Sequence, residues 1–432
     1  MPPSNLNKIN FMKFSYFLLL VSFVVPVWAD SAKQIPLQDI RIFADVFDRI
    51  KKNYVEEVDD KTLIQNAIKG MLSALDPHSA FLVGEEFDSL QEGTSGEFGG
   101  LGIEVGYKEG FLEVVSPIDD TPAQRAGIES GDIIIKIDKK SLRGMDMNDA
   151  IALLRGKVGS KIQLTIYRKS EENPLVFDIE RAIIKVSSVK KRLLEKDFGY
   201  IRLSQFQTHT TNDMLEAIKK LQKDNKAALQ GLILDLRNNP GGILSSAVGI
   251  VDAFVKHGLI VYTQGRTSSS NVKYKATGSD VLNGAPIVVL INGGSASASE
   301  VVSGALQDHH RAIIMGTKSF GKGSVQSVIP LKGNKAVKFT TARYYTPLGR
   351  SIQAKGIEPD VKLADLKLKK KEVKNKYTIS EVELENHIKN TSEPAPEVKE
   401  TKKKKKNLAE EDYAINEALN LLKGLTVLKK VK

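Results

Sequence analysis

The chain has 432 residues, a formal net charge of +11, 41% hydrophobic and 27% charged residues, and no cysteine. At about 150 residues per domain, this length predicts roughly three domains, and the composition excludes a collagen-like or wholly disordered protein. The lack of cysteine excludes disulfide frameworks, thiolate zinc sites, cysteine nucleophiles and a lipidated cysteine. Since the six His residues show no metal-binding spacing either, we expect no metal and no other cofactor.

The first segment predicted along the chain is a secretory signal peptide over residues 1–29. Lys8 and Lys13 precede an apolar run over residues 14–25, and Val27-Trp28-Ala29 is close to the small-x-small pattern of a cleavage site. A run of about 12 residues is shorter than the roughly 20 that a membrane-spanning helix needs. We therefore expect an exported, periplasmic protein, which an uncleaved signal segment would associate with the membrane.

Two amphipathic helices are predicted next, within an N-terminal helical module over residues 30–97. Apolar residues recur at helical spacing from Leu37 to Tyr54. A second apolar stripe, predicted to be buried, runs from Leu63 to Leu75 after a cap at Asp59 or Asp60.

The segment 98–185 changes to short β-branched strands interrupted by glycine. Flexible backbone at Phe98-Gly99-Gly100-Leu101-Gly102-Ile103 comes directly before a strand, and a strand edge with free amides can capture a peptide tail and its carboxylate. The alternative interpretation of these glycines is a plain tight turn. Two further glycine-containing motifs and a helical run follow, at Thr121–Gly127, Ser130–Ile137 and Met147–Leu154.

Together these motifs resemble a PDZ domain. The resemblance implies that the backbone amides of Leu101, Gly102 and Ile103 bind a terminal carboxylate. It also implies that the adjacent apolar pocket favours an apolar final side chain. This segment would select substrates without performing chemistry.

An α/β domain is predicted over residues 186–363, because buried strands alternate with helices there. The strands are predicted at Gly199–Leu203, Gly231–Leu236, Pro286–Ile291 and Ala312–Met315, and a helix at Asn212–Leu221. Two of these strands end in unusual loops, Arg237-Asn238-Asn239-Pro240-Gly241-Gly242 and Asn292-Gly293-Gly294-Ser295-Ala296-Ser297-Ala298-Ser299-Glu300.

Ser297 is the candidate nucleophile of the second loop. A strand that ends at glycines and enters a helix through Ser and Ala exposes both a hydroxyl and free helix amides. The pattern Ser297-Ala298-Ser299-Glu300 also fits a capping box, and taken alone it favours a helix cap. Lys322, between two glycines after a buried strand, shifts the balance, since its flexible neighbours let the amine turn inward.

These motifs, in this order, resemble the carboxy-terminal processing peptidases, also called tail-specific proteases, from about Leu37 to Leu363. The resemblance implies a multidomain α/β protein whose catalytic core has a ClpP/crotonase-like fold, with an inserted or preceding PDZ domain. It implies a serine endopeptidase in which Ser297 is the nucleophile and Lys322 the general base. Gln326 would orient the lysine, and the amides of Gly242 and Ala298 would form the oxyanion hole.

The family also couples tail binding to the active site through an arginine of the PDZ domain, and Arg155 is the matching candidate. A surface charge without this task is the alternative interpretation of Arg155.

The chemistry of such a dyad requires a neutral lysine. The ordinary pKa of lysine, near 10.4, must be lowered toward roughly 7–8 by burial without a carboxylate partner. We therefore expect no acid beside Lys322. A Ser-His-Asp triad is the competing mechanism, but His309 and His310 lie at the far end of the helix after Ser297, about 18 Å away at 1.5 Å per residue. His78, in Asp76-Pro77-His78-Ser79, is interpreted as a structural turn residue.

The end of the chain is predicted to contain a lysine-rich linker over residues 364–407 and a helix over residues 408–432. Between Lys362 and Lys406 there are 14 Lys against 8 acidic residues, which supplies +6 of the net charge of +11. Because the run Lys402–Lys406 has no interleaved aromatic residues, we expect a solvated segment and no nucleic-acid partner. The amphipathic helix from Tyr413 to Leu425 is expected to pack against the N-terminal helices or a second subunit, in a homo-oligomer.

The predicted partners are proteins or peptides with apolar C-termini, together with a possible adaptor protein. The alternative functions are a periplasmic PDZ scaffold that binds tails without cutting them and a hydratase-like enzyme on the related fold. An inward lysine facing a serine argues against the scaffold. The absence of an evident carboxylate pair argues against the hydratase.

Overall fold

The computed structural model describes residues 36–108, 110–364 and 408–431. The predicted signal peptide and nearly all of the predicted linker therefore lie outside the described residues. The chain divides into two compact units at residues 67 and 68, within its second helix. No helix of the described ranges combines the length and apolar content needed to cross a membrane.

The first unit contains helix α1 (Leu37–Asn53) and the beginning of α2 (Asp60–Ser73). Both helices are confirmed, and Asp59 caps α2 by accepting a hydrogen bond from the amide of Thr62. No residue of either helix is buried. The prediction of a buried stripe in α2 is therefore wrong, because helical spacing identifies an apolar face without supplying the surface that covers it.

The PDZ segment of the second unit forms an antiparallel sheet in the order β3-β4-β5-β7-β8, with β6 paired to β5. Leu112 and Ile134 of this sheet pack in one cluster with Ala150 and Leu154, so the helix α5 lies against the sheet. The elements are β3 (Ile103–Lys108), β4 (Phe111–Pro117), α4 (Pro122–Ala126), β5 (Ile133–Ile137), β6 (Lys140–Ser141), α5 (Met147–Leu154), β7 (Lys161–Tyr167) and β8 (Leu175–Glu180).

The strands directly before and after this segment in sequence pair with each other in a two-stranded antiparallel ribbon. It pairs β2 (Glu97–Gly100) with β9 (Ala182–Lys185). The chain thus enters and leaves the PDZ segment through adjacent strands, and the segment is an insertion between two parts of the α/β domain.

The α/β domain is built on a six-stranded sheet with the order β10-β11-β12-β15-β16-β19. All neighbouring strands are parallel except β10 and β11. Its elements are β10 (Val189–Glu195), β11 (Phe198–Leu203), α6 (Thr210–Asn225), β12 (Gly231–Asp235), α7 (Leu244–Asp252), β15 (Ile287–Ile291), α8 (Ala298–Asp308), β16 (Ile313–Gly316) and β19 (Val361–Lys362). The predicted α/β alternation is confirmed.

Both faces of this sheet are apolar, because successive side chains of a strand point to opposite faces. On one face, Leu232, Leu234 and Val289 pack with the helices α6, α7 and α8. On the other face, Ile233 and Val288 belong to a separate cluster. Strands buried on both faces read as continuous apolar runs, which is why they are visible in the sequence.

A second, five-stranded sheet completes the α/β domain. Its order is β1-β18-β13-β14, and β17 also pairs with β18. Its strands are β1 (Ala80–Val83), β13 (Leu259–Gly265), β14 (Lys273–Lys275), β17 (Ser324–Leu331) and β18 (Lys335–Tyr345), and the helix α3 (Glu85–Ser95) follows β1. The strand β1 lies in the range assigned to the helical module, yet it pairs with β18 of the α/β domain.

The C-terminal segment forms α9 (Leu408–Glu411) and α10 (Tyr413–Val431). The predicted amphipathic helix is confirmed, but its predicted packing is wrong. Its apolar side chains cover the second face of the six-stranded sheet through Ile415, Ala418, Leu419 and Leu422. That face would otherwise be bare, and burying each large apolar side chain contributes about 1.5–3 kcal/mol. The helix therefore no longer supports the expected homo-oligomer, which stays a prediction.

Candidate active site

Ser297 lies at the sharp turn between β15 and α8. Its φ of 54° is in the left-handed region, which is unfavourable for a residue with a side chain and costs about 1–3 kcal/mol. Only 8% of the residue is exposed. The serine also forms a capping box with Glu300, so the structural role foreseen for it is present. A strained strand-to-helix turn that presents a hydroxyl is also how a nucleophile is held in α/β hydrolases.

Two backbone amides next to this hydroxyl have no hydrogen-bond acceptor within the described ranges. They belong to Gly242 and to Ala298, the first residue of α8. The amide of Gly241, in contrast, donates to the side chain of Asn239. A Cβ atom on Gly241 would lie 2.9 Å from the Cβ of Ser297, so the glycine loop passes directly over the serine. The two free amides are those predicted for the oxyanion hole.

A buried carboxylate connects the serine turn to the lysine loop. Glu300 is fully buried, and its Oε2 accepts hydrogen bonds from the amides of Ser297 and Lys322, each at 2.8 Å. Its Oε1 accepts from Gly321 and from the hydroxyl of Ser319, each at 2.6 Å. The backbone nitrogens of Ser297 and Lys322 are therefore no farther apart than two hydrogen-bond lengths.

The Lys322 side chain is half-buried, and within residues 36–108, 110–364 and 408–431 its amine forms no hydrogen bond or ion pair. Burial lowers the pKa of Lys322, and the charge of Lys338 lowers it further, whereas Asp76 and Glu300 oppose both effects. The net pKa lies below the ordinary value. A lysine in this environment can accept a proton from a neighbouring hydroxyl.

The expectation of no acid near Lys322 is wrong as stated. The carboxylates of Asp76 and Glu300 lie close enough to raise its pKa, and Glu300 binds its backbone amide. The capping-box pattern identified Glu300, but it did not show that the same carboxylate would bind a loop about twenty residues later. Neither acid forms an ion pair with the amine, and the pKa of Lys322 stays below its ordinary value.

Gln326 lies at the start of β17, near the lysine in sequence. Its side-chain amide donates to the hydroxyl groups of Ser324, at 2.9 Å, and Thr340, at 3.3 Å. In this structure the glutamine is therefore engaged with hydroxyl groups rather than with the amine of Lys322, and its predicted orienting role stays a prediction.

Among the residues that the structure describes, no histidine forms a hydrogen bond with Ser297. The ring of His309, at the far end of α8, contacts the carbonyl oxygen of Leu259 at 2.7 Å. His78 is closer to the site than its sequence position indicated. Its pKa is lowered by burial and then by the charge of Lys322. The Asp76–Ser79 motif was the only signal in the sequence for this placement.

The residues predicted to bind a peptide tail lie at the free edge of the PDZ sheet, since β3 is its first strand. The carbonyl of Gly102 accepts from the amide of Ile118. Ile103 and Pro117 are consequently a non-hydrogen-bonded pair, and the Ile103 amide points away from β4. Gly102 has a φ of 79°, and a Cβ atom there would lie 2.3 Å from Thr121. This edge can accept an added strand.

Arg155 lies just after α5 and contacts α3 rather than the catalytic loops. Its guanidinium donates to Glu92 at 2.9 Å and lies over the ring of Phe98, 4.8 Å from its centroid. The arginine therefore links the PDZ segment to a neighbouring helix in this structure. No group of three His, Asp or Glu side chains in the described part of the chain is arranged to hold a metal ion.

Models of three known families match successive parts of the chain. The N-terminal domain of the activating protease CtpB matches residues 27–85, a PDZ domain matches residues 113–168, and peptidase family S41 matches residues 197–363. The S41 segment contains Gly242, Ser297, Lys322 and Gln326.

Individual proteins with similar sequences or structures are also known. The carboxy-terminal-processing protease of Bartonella bacilliformis is 48% identical over 389 residues, which cover 88% of each chain. The carboxy-terminal processing protease CtpA of Bacillus subtilis is 37% identical over 318 residues, which cover 73% of this chain and 67% of that protein. The solved photosystem II D1 C-terminal processing protease is 30% identical with a TM-score of 0.44, over 75% of this chain and 92% of that one.

Proposed function

This chain belongs to peptidase family S41 and is a carboxy-terminal processing protease with a PDZ domain, and from this premise we propose that Ser297 and Lys322 form its catalytic dyad. The observation that carries the proposal is the Glu300 carboxylate, whose one oxygen binds the backbone amides of both residues. Two loops that are separate in sequence are thereby held together around one hydroxyl and one unpaired amine.

The reaction begins when Ser297 Oγ attacks the carbonyl carbon of the scissile peptide bond and its proton passes to the neutral amine of Lys322. The negative charge that develops on the carbonyl oxygen is stabilised by the amides of Gly242 and Ala298. One such donor contributes about 3–4 kcal/mol to transition-state stabilisation.

The tetrahedral intermediate then collapses to an ester on Ser297. The leaving amine takes the proton from Lys322, which becomes neutral again. A water molecule attacks the ester and gives one proton to Lys322, which passes it to the serine oxygen as the ester bond breaks. The second product leaves with the new carboxyl group, which loses its proton to solvent. Gln326 orients the lysine amine once its side chain turns from the hydroxyl groups of Ser324 and Thr340.

Substrates are selected by their C-terminal tails. The free edge of β3, with the amides of Leu101, Gly102 and Ile103, binds the terminal carboxylate, and an apolar final side chain fits the apolar cluster between β3 and α5. Arg155 would couple tail binding to the catalytic loops after leaving Glu92. The signal segment supports export to the periplasm. There the protein acts as a homo-oligomer together with an adaptor protein.

The test compares wild type, Ser297→Ala and Lys322→Met on a peptide with an apolar C-terminus. Methionine keeps much of the apolar stem of lysine and removes the amine. We expect cleavage by the wild type only, with equal tail binding by all three proteins. A peptide that ends in aspartate is the substrate control.

Equal binding without turnover by any of the three proteins would instead favour the scaffold function. Turnover by Lys322→Met at the wild-type rate would refute the dyad. Mass spectrometry of the wild type after rapid quenching is expected to detect the acyl ester, and its absence from Ser297→Ala is the matched control.

A further inference from the structure

The C-terminal segment reaches the catalytic loops through an ion pair. Arg237 lies two residues after the end of β12 and begins the loop that ends at Gly242. Its Nη1 and Nη2 atoms donate to the two carboxylate oxygens of Asp412, at 3.1 and 2.8 Å. Two parallel hydrogen bonds of this kind fix the orientation of a guanidinium as well as its position.

The other side of the same guanidinium is held by Asp235. Its Oδ1 accepts from Arg237 Nε at 2.9 Å, and its Oδ2 accepts from Arg237 Nη2 at 2.6 Å. Asp235 is fully buried and also accepts a hydrogen bond from the hydroxyl of Tyr200. Arg237 therefore lies between one carboxylate of the sheet and one carboxylate of the C-terminal segment.

Asp412 is itself held in place by α10. It accepts a hydrogen bond from the amide of Ile415 in the first turn of that helix, and Ile415, Leu419 and Leu422 are buried against the sheet. Burial alone would raise the pKa of Asp412, but the bonds from Arg237 and the helix amides outweigh it and bring the pKa below the ordinary value. The carboxylate is thus charged and fixed at neutral pH.

The loop between Arg237 and Gly242 is short and internally bonded. The amide of Arg237 donates to Asp235, and the amide of Gly241 donates to the Asn239 side chain. The carbonyl oxygen of Asn239 accepts from the amide of Ala296, directly before Ser297. Hydrogen bonds therefore connect the beginning of this loop with its glycines and with the residue before Ser297.

We propose that Asp412 is a positioning residue of the protease, which acts through Arg237 to hold the amide of Gly242 in the oxyanion hole. The C-terminal helix is then a part of the catalytic scaffold as well as a cover for the sheet. This inference rests on the proposed function, because it assigns a cause to the position of one proposed oxyanion donor.

The test uses the full chain with Asp412→Asn, which keeps the shape of the side chain and removes its charge. The matched control is Lys423→Gln, which breaks the ion pair between Lys423 and Glu195 elsewhere on the same helix. Each variant is assayed for kcat and KM on the apolar-tailed peptide. The binding of a peptide aldehyde is also measured, since its adduct with Ser297 places an oxyanion in the hole. All assays are run at a temperature at which circular dichroism shows every variant folded.

We expect Asp412→Asn to lower kcat about tenfold to a hundredfold, below the full effect of losing one donor, with KM changed less than twofold. The affinity of the aldehyde falls by the same factor as kcat. Lys423→Gln leaves all three quantities at wild-type values, and Asp412→Glu, which retains the charge, recovers part of kcat.

A kcat of Asp412→Asn equal to that of Lys423→Gln overturns the inference, as does a loss of kcat without a loss of aldehyde affinity. If Asp412→Asn does not fold, Asp412→Glu provides the test, because its longer side chain displaces the Arg237 guanidinium. A kcat and an aldehyde affinity equal to those of the wild type would then refute the positioning role. Failure of the proposed function gives a different result, because the wild type and Ser297→Ala would then not differ in peptide cleavage.

Discussion

Replacing Glu300 with glutamine tests two roles of this carboxylate, which are to accept hydrogen bonds and to raise the pKa of Lys322 through its charge. As glutamate, its two oxygens accept four hydrogen bonds, from the amides of Ser297, Gly321 and Lys322 and from the hydroxyl of Ser319. In Glu300→Gln one oxygen becomes an NH₂ group, which cannot accept. The least damaging arrangement places the NH₂ at Oε1, where it can donate to Ser319 but faces the amide of Gly321.

The stability cost follows from this count. At least one buried, charge-assisted hydrogen bond is lost, worth about 1.5–3 kcal/mol, and the remaining bonds lose their charge. We therefore expect Glu300→Gln to lower the free energy of unfolding by about 2–4 kcal/mol, measured by urea denaturation. This is a large share of the roughly 5–15 kcal/mol that stabilises a typical domain.

The same substitution is expected to make the lysine a more available base at low pH, although it destabilises the fold. The charge of Glu300 raises the pKa of Lys322, so its removal lowers that pKa and increases the neutral fraction of the amine. The acidic limb of kcat/KM reports the base of the free enzyme and should move to lower pH. Glu358→Gln, which changes an exposed carboxylate paired with Lys318, is the control and should change neither quantity.

An acidic limb that moves to higher pH in Glu300→Gln would contradict this account of the lysine. A urea unfolding midpoint of Glu300→Gln equal to that of the wild type would contradict the account of the four hydrogen bonds. The two measurements are independent, so either part of the reasoning can fail without the other.

Three further substitutions test neighbouring features. In Lys338→Gln a charge that lowers the pKa of Lys322 is removed, so the acidic limb of kcat/KM should move to higher pH; a shift to lower pH would contradict the assignment of the base. In His78→Gln we expect cleavage with the acidic limb retained, because Lys322 rather than His78 shares a carboxylate with the serine; activity at the Ser297→Ala level would identify the histidine as the base. Leu422→Ala, in a fully buried position of α10, should lower the free energy of unfolding by about 2–5 kcal/mol in urea denaturation, and an unchanged value would mean that the helix does not stabilise the sheet.

Much of the fold is visible in the sequence because its signals are local. The strands β12 and β15 are continuous apolar runs, since both faces of a parallel sheet are covered. Gly102 and Gly242 occupy positions where a side chain would collide with Thr121 or the backbone of Phe206. A residue pattern can predict such positions, because the requirement lies in the residue itself.

Other features depend on contacts between distant segments and leave no local pattern. The binding of the lysine loop by Glu300 and the pairing of Arg237 with Asp412 each join residues whose separation in space is set by the whole fold. The apolar stripe of α10 predicted a helix with a buried face, but it was equally compatible with any apolar surface. The surface that it covers could not be chosen from the stripe alone.

The strand β1 has a consequence for how this molecule is made. The hydroxyl of Ser79, directly before β1, accepts from the amide of Thr340 in β18, 261 residues away, and the whole PDZ segment lies between them. During synthesis β1 emerges from the ribosome first and stays without its partner until β18 has been made, while the PDZ segment can fold in the interval. A shortened protein that begins after the PDZ segment would lack this strand and leave the edge of β18 open to pairing with other chains.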